Sequence, residues 1–406
     1  MSLNIRPILS ALLRNRTGAV LVAMQIALAL AILVNATYVV KQRVDSINRP
    51  TGIDDKNLIG IETSGFTSRF NYESSVKEDL AWLRGLDGVV AATVTTAIPL
   101  SGSGSGAPLL KAPTHNTSDM VAAIMYEMDE QGLATLGARL IAGRNFRADE
   151  ILPPLTTNDE DRPIAGVLVT EELARVFFPD GNAAGKTVYD PFGKPTTIIG
   201  VVANMEGPWP SSEDNRRIWW IPERPRMFGF RYLVRAQPGR RDTLIPIIEE
   251  HLAASNPDRV VRSVRSVEQY EAESFLNERI TAIFLTVVTV ALLAIAALGI
   301  FGLATFNVST RTKQIGTRRA VGARKRDIVR YFLVENALIT TTGIVIGCGL
   351  ALAVGYWLSV LYRLPRLDLY YLVGGVLLLW LLGQLAAWQP ARRGSAVSPS
   401  VATRTA

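Results

Sequence analysis

The stretch GAVLVAMQIALALAILVNATYVV, residues 18–40, contains no charged side chain. As a helix it would extend about 35 Å at about 1.5 Å per residue, which exceeds the hydrocarbon core of a bilayer. Its apolar run is longer than the core of a cleavable signal peptide, so we expect it to remain as an anchor. Gln25 and Asn35 lie within it, and because polar side chains are costly in contact with lipid, we expect both to face other helices.

Three further apolar stretches of similar length follow at residues 280–306, 332–361 and 369–389. They hold one charged side chain between them, Glu335, which lies near the start of the second of these stretches. The last stretch is closed by Gln389-Pro390, and proline usually ends a helix. The sequence therefore predicts an integral membrane α-helical protein with four transmembrane helices, counting residues 18–40 as the first.

The four spans divide the chain of 406 residues into an N-terminal segment (1–17), a long segment (41–279), a loop (307–331) and a tail (390–406). The loop carries eight basic side chains and one acid, Asp327. Positive charge near spans favours the cytoplasm, so we expect both termini and the loop to be cytoplasmic and the long segment to lie on the other side. The loop alone accounts for the formal net charge of +7, so we expect contact with membrane lipid and no nucleic-acid partner.

The long segment, residues 41–279, shows alternating short strand and helix patterns. A strand, helix, strand order occurs at both of its ends. Such units bury one helical face against a small sheet, so we expect one lobe built from residues 41–119 and 223–279, with a second lobe, residues 120–222, inserted between them. The prediction is a large extracytoplasmic α+β domain of two lobes between the first and second spans.

Two short motifs in this domain resemble nucleotide-binding loops. GNAAGKT, residues 181–187, has three residues between its first two glycines where a phosphate-binding loop needs four. LSGSGSG, residues 100–106, matches no such loop. We expect the first to be a turn, because glycine and asparagine favour turns, and the second to be a flexible surface loop, because Ser-Gly alternation favours flexibility.

Catalytic and metal-binding patterns are missing from the sequence. Its single cysteine, Cys348, lies in the third predicted span, so the large domain holds no disulfide. The two histidines, His115 and His251, lie far apart and form no zinc motif. A Gly-x-Ser-x-Gly nucleophile motif does not occur either. We therefore expect no enzymatic activity, no metal and no cofactor in this chain.

The cytoplasmic loop and the start of the third span read RTKQIGTRRAVGARKRDIVRYFLVENALI, residues 311–339. After Gly322, Ile328, Tyr331 and Phe332 recur at helical spacing, with basic side chains on the other face. This pattern predicts an amphipathic helix that leads into the third span. Spacing alone leaves two interpretations open: an interfacial helix on anionic lipid, or a docking helix that enters a cleft on a cytoplasmic partner.

This stretch resembles the cytoplasmic loop of the FtsX-like and MacB-like ABC transporter permeases, which reads roughly Arg-x-x-Glu-Ile-Gly-x-Arg-x-Ala-x-Gly-Ala. The matching positions are Arg311, Ile315, Gly316, Arg318, Ala320, Gly322, Ala323, Ile328, Phe332 and Glu335. Other stretches resemble the same family: GRNF at 143–146, VLVTEELARVFFPDGNAAGKTV at 167–188, IIGVVANM at 198–205 and PARRGSAVSPSVA at 390–402. The family usually has glutamate where this chain has Gln314, so an ion pair that relatives form there loses its anion here.

The resemblance implies which residues couple the chain to a partner ATPase. They are Arg311, Gln314, Ile315, Gly316, Arg318, Ala320, Gly322, Ala323, Asp327, Ile328 and Tyr331. It also implies that GNAAGKT belongs to the fold of the large domain and binds no nucleotide. Only 17 residues precede the first span, so we expect ATP and Mg²⁺ to be bound by a separate cytoplasmic ABC ATPase subunit.

The resemblance also implies a location, partners and a task. We expect a bacterial inner membrane, a second permease chain in a homodimer or heterodimer, and a periplasmic adaptor with an outer-membrane duct. The expected task is export of a drug, peptide or amphipathic substrate, driven by ATP hydrolysis in the partner. Three alternatives stay open: lipoprotein release, a non-transporting scaffold that signals to extracytoplasmic wall hydrolases, and a sensor without an ATPase.

Two further expectations concern the third span. Gly343, Gly347, Ala351 and Gly355 recur every four residues. Small residues at this spacing let two helices approach closely, so we expect this face to pack against another helix. Glu335 lies at the inner end of the span, where an interfacial role and a functional intramembrane carboxylate both remain open.

Overall fold

The computed structural model of the chain describes residues 16–113, 116–154, 162–210, 212, 214–225, 230–362 and 367–397. The chain forms two compact units: a large domain, Ser46–Asn277, and a helical unit made of the chain up to Asp45 and from Glu278 onward. His115, nearly all of the predicted segment 1–17 and the end of the predicted tail lie outside the described residues.

The helices in chain order are α1 (Arg16–Ile47), α2 (Tyr72–Gly85), α3 (Gly132–Leu136), α4 (Glu171–Phe177), α5 (Arg241–Ser255), α6 (Val267–Ser274), α7 (Leu276–Thr310), α8 (Thr312–Ala320), α9 (Lys325–Tyr362) and α10 (Leu369–Ser395). The strands are β1 (Leu58–Gly65), β2 (Val89–Thr95), β3 (Ser105–Gly106), β4 (Leu109–Leu110), β5 (Met120–Val121), β6 (Ile124–Glu127), β7 (Leu140–Gly143), β8 (Gly166–Thr170), β9 (Thr187–Tyr189), β10 (Pro195–Val202), β11 (Ile218–Ile221), β12 (Arg231–Ala236) and β13 (Arg259–Ser266).

Four helices among the described residues are long and apolar enough to cross a membrane: α1, α7, α9 and α10. α1 is the most enclosed of them, and its Ile26 and Leu30 are almost completely buried among side chains of the other helices. Gln25 and Asn35, the two polar side chains of α1 that the sequence predicts to face other helices, do so. Asn35 Nδ2 donates a hydrogen bond to the carbonyl oxygen of Ala351, 3.1 Å away, and the Gln25 amide lies against Gly299.

The helices extend beyond the predicted spans. α9 begins at Lys325, so the predicted amphipathic helix and the third span form one continuous helix. The prediction that Gln389-Pro390 closes the fourth span is wrong, because α10 continues through Pro390 to Ser395. A proline normally ends a helix through its missing N–H. Here the residues after it, Ala391 and Gly394, are buried against neighbouring helices, and that packing supports the extra turn.

The first sheet of the large domain has four antiparallel strands in the order β13-β1-β12-β2. Its strands come from both ends of the domain's sequence, since Ile59 of β1 pairs with Val234 of β12 and also with Ser266 of β13. α2 and α5 pack on this sheet through Leu83 and Ile248, which are fully buried in one apolar core. Each such side chain contributes about 1.5–3 kcal/mol of burial free energy.

The second sheet has nine strands, in the order β3-β6-β11-β8-β10-β9-β4-β5 with β7 also paired to β10. It includes β3 and β4, which precede the predicted lobe boundary at residue 120. The second lobe therefore starts earlier than predicted. The reason is that strands of two residues are too short to show an alternating pattern in the sequence.

The Ser-Gly stretch lies partly at the surface, with Gly102, Ser103 and Gly106 exposed, but hydrogen bonds hold it to a neighbouring segment. The amide of Leu100 donates to the Gly207 carbonyl at 3.0 Å, and that of Gly102 donates to the Pro208 carbonyl at 2.8 Å. A Cβ at Gly104 would lie 2.6 Å from Pro208 Cγ, so glycine is required for this close approach. Alternation of serine and glycine here serves packing against a neighbouring segment.

GNAAGKT, by contrast, forms tight turns between α4 and β9. Gly181 and Gly185 have φ values of +82° and +83°, which favour glycine. The amide of Gly185 donates to the Ile198 carbonyl at 2.7 Å, so it is committed to the sheet rather than free to bind a phosphate.

Candidate functional site

The predicted coupling residues lie where α7, α8 and α9 meet. α7 ends at Thr310, Arg311 forms the junction, and α8 follows as a separate helix of nine residues. Gly322, with a φ of +100°, forms the turn into α9. The amide of Ala323 donates to the Arg318 carbonyl at 3.0 Å and closes this turn. The coupling segment is therefore a short helix held between two long ones.

The sequence predicts a coupling loop or helix over residues 307–331, but it shows helical periodicity only after Gly322, so it does not mark α8 as a separate helix. Its sequence, TKQIGTRRA, contains one large apolar side chain, Ile315, so it shows no apolar periodicity. Ile315 is nevertheless buried, in a cluster with Ile328, Phe332 and Ala391. This cluster joins α8 to both α9 and α10. The signal that could have revealed α8 is the glycine at 322, a residue type common just after a helix end.

A shallow notch opens on the exposed side of α8. Its lining residues are Arg311, Gln314, Ile315, Arg318, Ile328, Tyr331 and Phe332. Its volume, about 20 Å³, holds no more than one water-sized group, so it is no small-molecule pocket. The Arg318 guanidinium carbon lies 4.8 Å from the centre of the Tyr331 ring, within the range of a cation–π interaction. The notch thus presents a positive charge beside an aromatic ring.

The junction residue Arg311 is anchored to the third span. Its Nη1 lies 2.9 Å from Oε2 of Glu335, ten residues after the start of α9, and the Glu335 side chain is 2% exposed. The sequence left the role of Glu335 open between an interfacial and a functional one. In the structure this carboxylate holds the end of α7 and the start of α8 against α9.

The remaining predicted coupling residues contribute to the fold of the coupling segment and do not line the notch. Gly316 is buried on α8, and Ala320 is exposed at its end. Ala323 packs at the edge of the apolar cluster. The Asp327 carboxylate accepts a hydrogen bond from the Arg324 amide at 3.0 Å, so it caps the first turn of α9. Of the predicted coupling residues, these four, like Gly322, lie outside the notch.

The exposed surface around the notch is strongly basic. Exposed basic side chains are Lys313, Arg318, Arg324, Lys325, Arg326 and Arg330, and Asp327 is the exposed acid among them. Such a surface attracts an acidic protein surface or anionic headgroups. Within the described ranges, no group of three or more His, Cys, Asp or Glu side chains is placed to hold a metal ion.

The predicted packing residues of the third span face α1. A Cβ at Gly343 would lie 2.6 Å from the Ala23 carbonyl oxygen, and one at Gly347 would lie 2.9 Å from that of Ala27. Ala351 is fully buried, and its carbonyl accepts from Asn35. A Cβ at Gly355 would lie 3.1 Å from Asn35 Oδ1. The four small residues therefore form the surface on which α1 rests.

Comparison with known families locates one match on the helical unit. Residues 286–399 match the family described as FtsX-like permease C-terminal. The match covers most of α7 and all of α8, α9 and α10, so the whole candidate site lies inside it.

Curated relatives match a longer part of the chain. A probable export ATP-binding/permease protein of Pseudomonas fluorescens is 26% identical over 272 residues, which are 61% of this chain and 39% of that protein. The macrolide export ATP-binding/permease protein MacB of Chromobacterium violaceum is 26% identical over 282 residues, which are 65% of this chain and 40% of that protein. The chain thus spans about two fifths of the length of the curated relatives that it matches.

Among solved structures, the periplasmic region of MacB from Actinobacillus actinomycetemcomitans is 18% identical to this chain, with a TM-score of 0.34. The match covers 56% of this chain and 96% of that one.

Proposed function

We propose that this chain is the permease subunit of an ABC transporter in a bacterial inner membrane, because its residues 286–399 match the FtsX-like permease family. The observation that carries the proposal is α8: a short helix between two long ones, with a basic notch on its exposed side. A cytoplasmic ATPase subunit would grip this notch, with ATP and Mg²⁺ bound in that subunit. The names of relatives, which combine ATP-binding and permease functions, support such a pairing.

The proposed mechanism is transmission of movement. The ATPase binds α8 differently in its ATP-bound and ATP-free states, and only such differential binding can bias a two-state element. Movement of α8 reaches α7 through Arg311 and α9 through the Arg311–Glu335 ion pair. α7 begins at Leu276, where the sequence of the large domain ends, so its displacement is the proposed route by which the hydrolysis cycle acts on that domain. Two permease chains with two ATPase chains complete the machine.

The proposed task is export, with the cytoplasmic side at α8 and the large domain on the opposite side of the membrane. One relative is named for macrolide export and another, from Pseudomonas syringae, for probable syringafactin export, and both names support export as the task here. An adaptor and an outer-membrane duct are proposed as further partners. The first experiment is purification of the tagged chain from its native membranes in mild detergent, followed by mass spectrometry. Co-purification of an ABC ATPase supports the proposal, and recovery without any ATPase contradicts it.

Charge reversal in the notch tests the docking surface directly. We expect Arg318→Glu to weaken binding of the ATPase subunit about tenfold, because it places an acid where the partner meets a cation and removes the contact with Tyr331. Binding is measured with the full chain in nanodiscs and the purified ATPase.

The matched control is Arg279→Glu, which makes the same change at an exposed position near the other end of α7. Equal affinities for the two variants would exclude the notch as the docking surface. A bulky residue at Gly322 is a poorer probe, because the φ of +100° there strains any side chain and deforms the turn itself.

A further inference from the structure

The end of α10 lies against the coupling segment, although the sequence predicts a cytoplasmic tail from residue 390. Ala391 is fully buried in the cluster with Ile315 of α8. Gly394 faces α7, where a Cβ would lie 2.7 Å from Val308 Cγ1. The last turn of α10 therefore touches both α7 and α8.

Arg319 of α8 forms a polar contact with this last turn. Its Nη1 donates to the carbonyl oxygen of Val397 at 2.6 Å and to that of Ser395 at 3.3 Å. Ser395 is the last residue of α10, and Val397 lies two residues beyond it. The last carbonyls of a helix lack partners within the helix and carry the negative end of its dipole, so a guanidinium is well matched to the carbonyl of Ser395. Both hydrogen bonds come from the one nitrogen Nη1, so the planar guanidinium must be held in one orientation, whereas the ammonium of a lysine has a different reach and geometry.

The attachments of α8 lie on one face. Arg311, Ile315 and Arg319 are spaced four residues apart, so they share a side of the helix. They contact Glu335 of α9, the apolar cluster and the end of α10, in that order. Gln314 and Arg318, which line the notch, form a neighbouring row on the same spacing. The first row contacts the helical unit. The second row is exposed and, together with Arg311 and Ile315, lines the notch that a partner can reach.

We propose that Arg319 is a positioning residue that fixes α8 to the end of α10, so that the fourth span moves with α8. The inference rests on the proposed function, in which α8 receives the movement of an ATPase. Residues 390–397 are then a structural part of the coupling site. Without the Arg319 contact, the apolar cluster of Ile315 and Ala391 remains between α8 and α10, so the movement of α8 is passed to α10 less completely.

A distance measurement on the full chain tests the contact without any ATPase. Spin labels are placed at Thr317→Cys on α8 and Leu385→Cys on α10, both exposed, in a Cys348→Ser background. We expect one narrow distance distribution with Arg319 present and a broad one in Arg319→Gln. The distance distribution in Arg319→Lys, which keeps the charge, should have an intermediate width. The matched control Arg393→Gln removes an exposed charge from the same turn of α10, and its distance distribution should stay narrow. An unchanged distribution in Arg319→Gln overturns the proposal.

The same labels in the complex with the ATPase subunit separate a positioning role from a merely structural one. With Arg319 present, the distance should be the same in the ATP-bound and ATP-free states, because α8 and α10 move together. In Arg319→Gln it should change with nucleotide, and transport per ATP should fall at least about fivefold while the ATPase remains bound. A distance that changes with nucleotide while Arg319 is present overturns the proposal. If the ATPase does not bind the parent chain at all, the proposed function fails, and the distribution without ATPase still decides the contact.

Discussion

Arg259→Met is expected to lower the free energy of unfolding of the large domain by about 3–5 kcal/mol, because it leaves a buried carboxylate without its cation. The Arg259 side chain is 0% exposed and that of Asp79, its ion-pair partner, is 6% exposed. Arg259 Nη2 also donates to the Leu252 carbonyl and to Ser255 Oγ, each at 2.7 Å. The guanidinium thus ties the end of α5 to α2, and its loss removes all these bonds at once.

Tyr232 adds a second donor to the same carboxylate, at 2.6 Å from Asp79 Oδ2. Burial, together with the Asp79 charge, raises the pKa of Tyr232 well above its ordinary value, so the phenol stays protonated and continues to donate. One neutral hydrogen bond cannot replace the guanidinium. The unpaired Asp79 carboxylate therefore accounts for most of the expected loss of stability in Arg259→Met.

The measurement is urea unfolding of the full chain in mild detergent, followed by tryptophan fluorescence, to which Trp82 is one of seven contributors. This ring lies on α2 and stacks on His251 of α5 with centroids 3.6 Å apart, so it reports separation of the two helices. Asp79→Leu combined with Arg259→Met should recover most of the loss, because neither charge is then left unpaired. Arg262→Met, at an exposed position on the same strand, should change stability by no more than about 0.5 kcal/mol. A loss in Arg259→Met no larger than this would contradict the assignment.

The second large effect is expected in the helical unit. Gly343→Leu should destabilise it by about 3 kcal/mol or more, because the new side chain must occupy space already filled by α1. A Cβ there would lie 2.6 Å from the Ala23 carbonyl oxygen and 2.9 Å from Ile26 Cβ. Backbone atoms of α1 cannot move aside as a side-chain tip can, so the two helices must separate.

Thermal unfolding of the full chain in detergent measures this effect, with a fluorescent maleimide that reacts with Cys348 as the unit opens. Cys348 is the single cysteine of the sequence and is partly buried. Gly349→Leu is the matched control in the same helix, because a Cβ there meets nothing within 4 Å. Its midpoint temperature should stay near that of the parent chain. Equal midpoints for the two variants would show that contact with α1 does not hold α9 in place.

The features that the sequence could predict are those with a long repeating pattern. The apolar stretches give the four long helices, and the spacing of Gly343 and Gly347 gives a face for close packing. Each of these features is visible in the sequence of a single helix, without knowledge of its contacts. The alternation of apolar residues in the segment 41–279 also predicts strands near both ends of that segment. The expected lobe built from both ends agrees with the first sheet, in which β1 and β2 come from one end and β12 and β13 from the other.

The features that the sequence could not predict depend on contacts between distant segments. α8 has one large apolar residue, and its helical form depends on burial of Ile315 against α9 and α10. The helix continues past Pro390 because Ala391 packs in the same cluster. Glu335 stands out in the sequence as a charge within a span, but its partner Arg311 lies 24 residues earlier, in another element, and the sequence does not indicate the pair. In each case tertiary packing overrides the local preference of the sequence.

The central position of α1 also has a consequence for how the protein is made. Its Asn35 side chain donates to a carbonyl 316 residues later in the chain, and its glycine-lined packing surface lies on the same distant helix. At about 5–20 residues per second, synthesis of that distance takes roughly 15–60 s. During this time the Asn35 side chain has no partner on the third span, and Gln25 meets Gly299 only when the second span is made. The first span is therefore enclosed late, after the second, third and fourth spans, all of which pack on it, have been made.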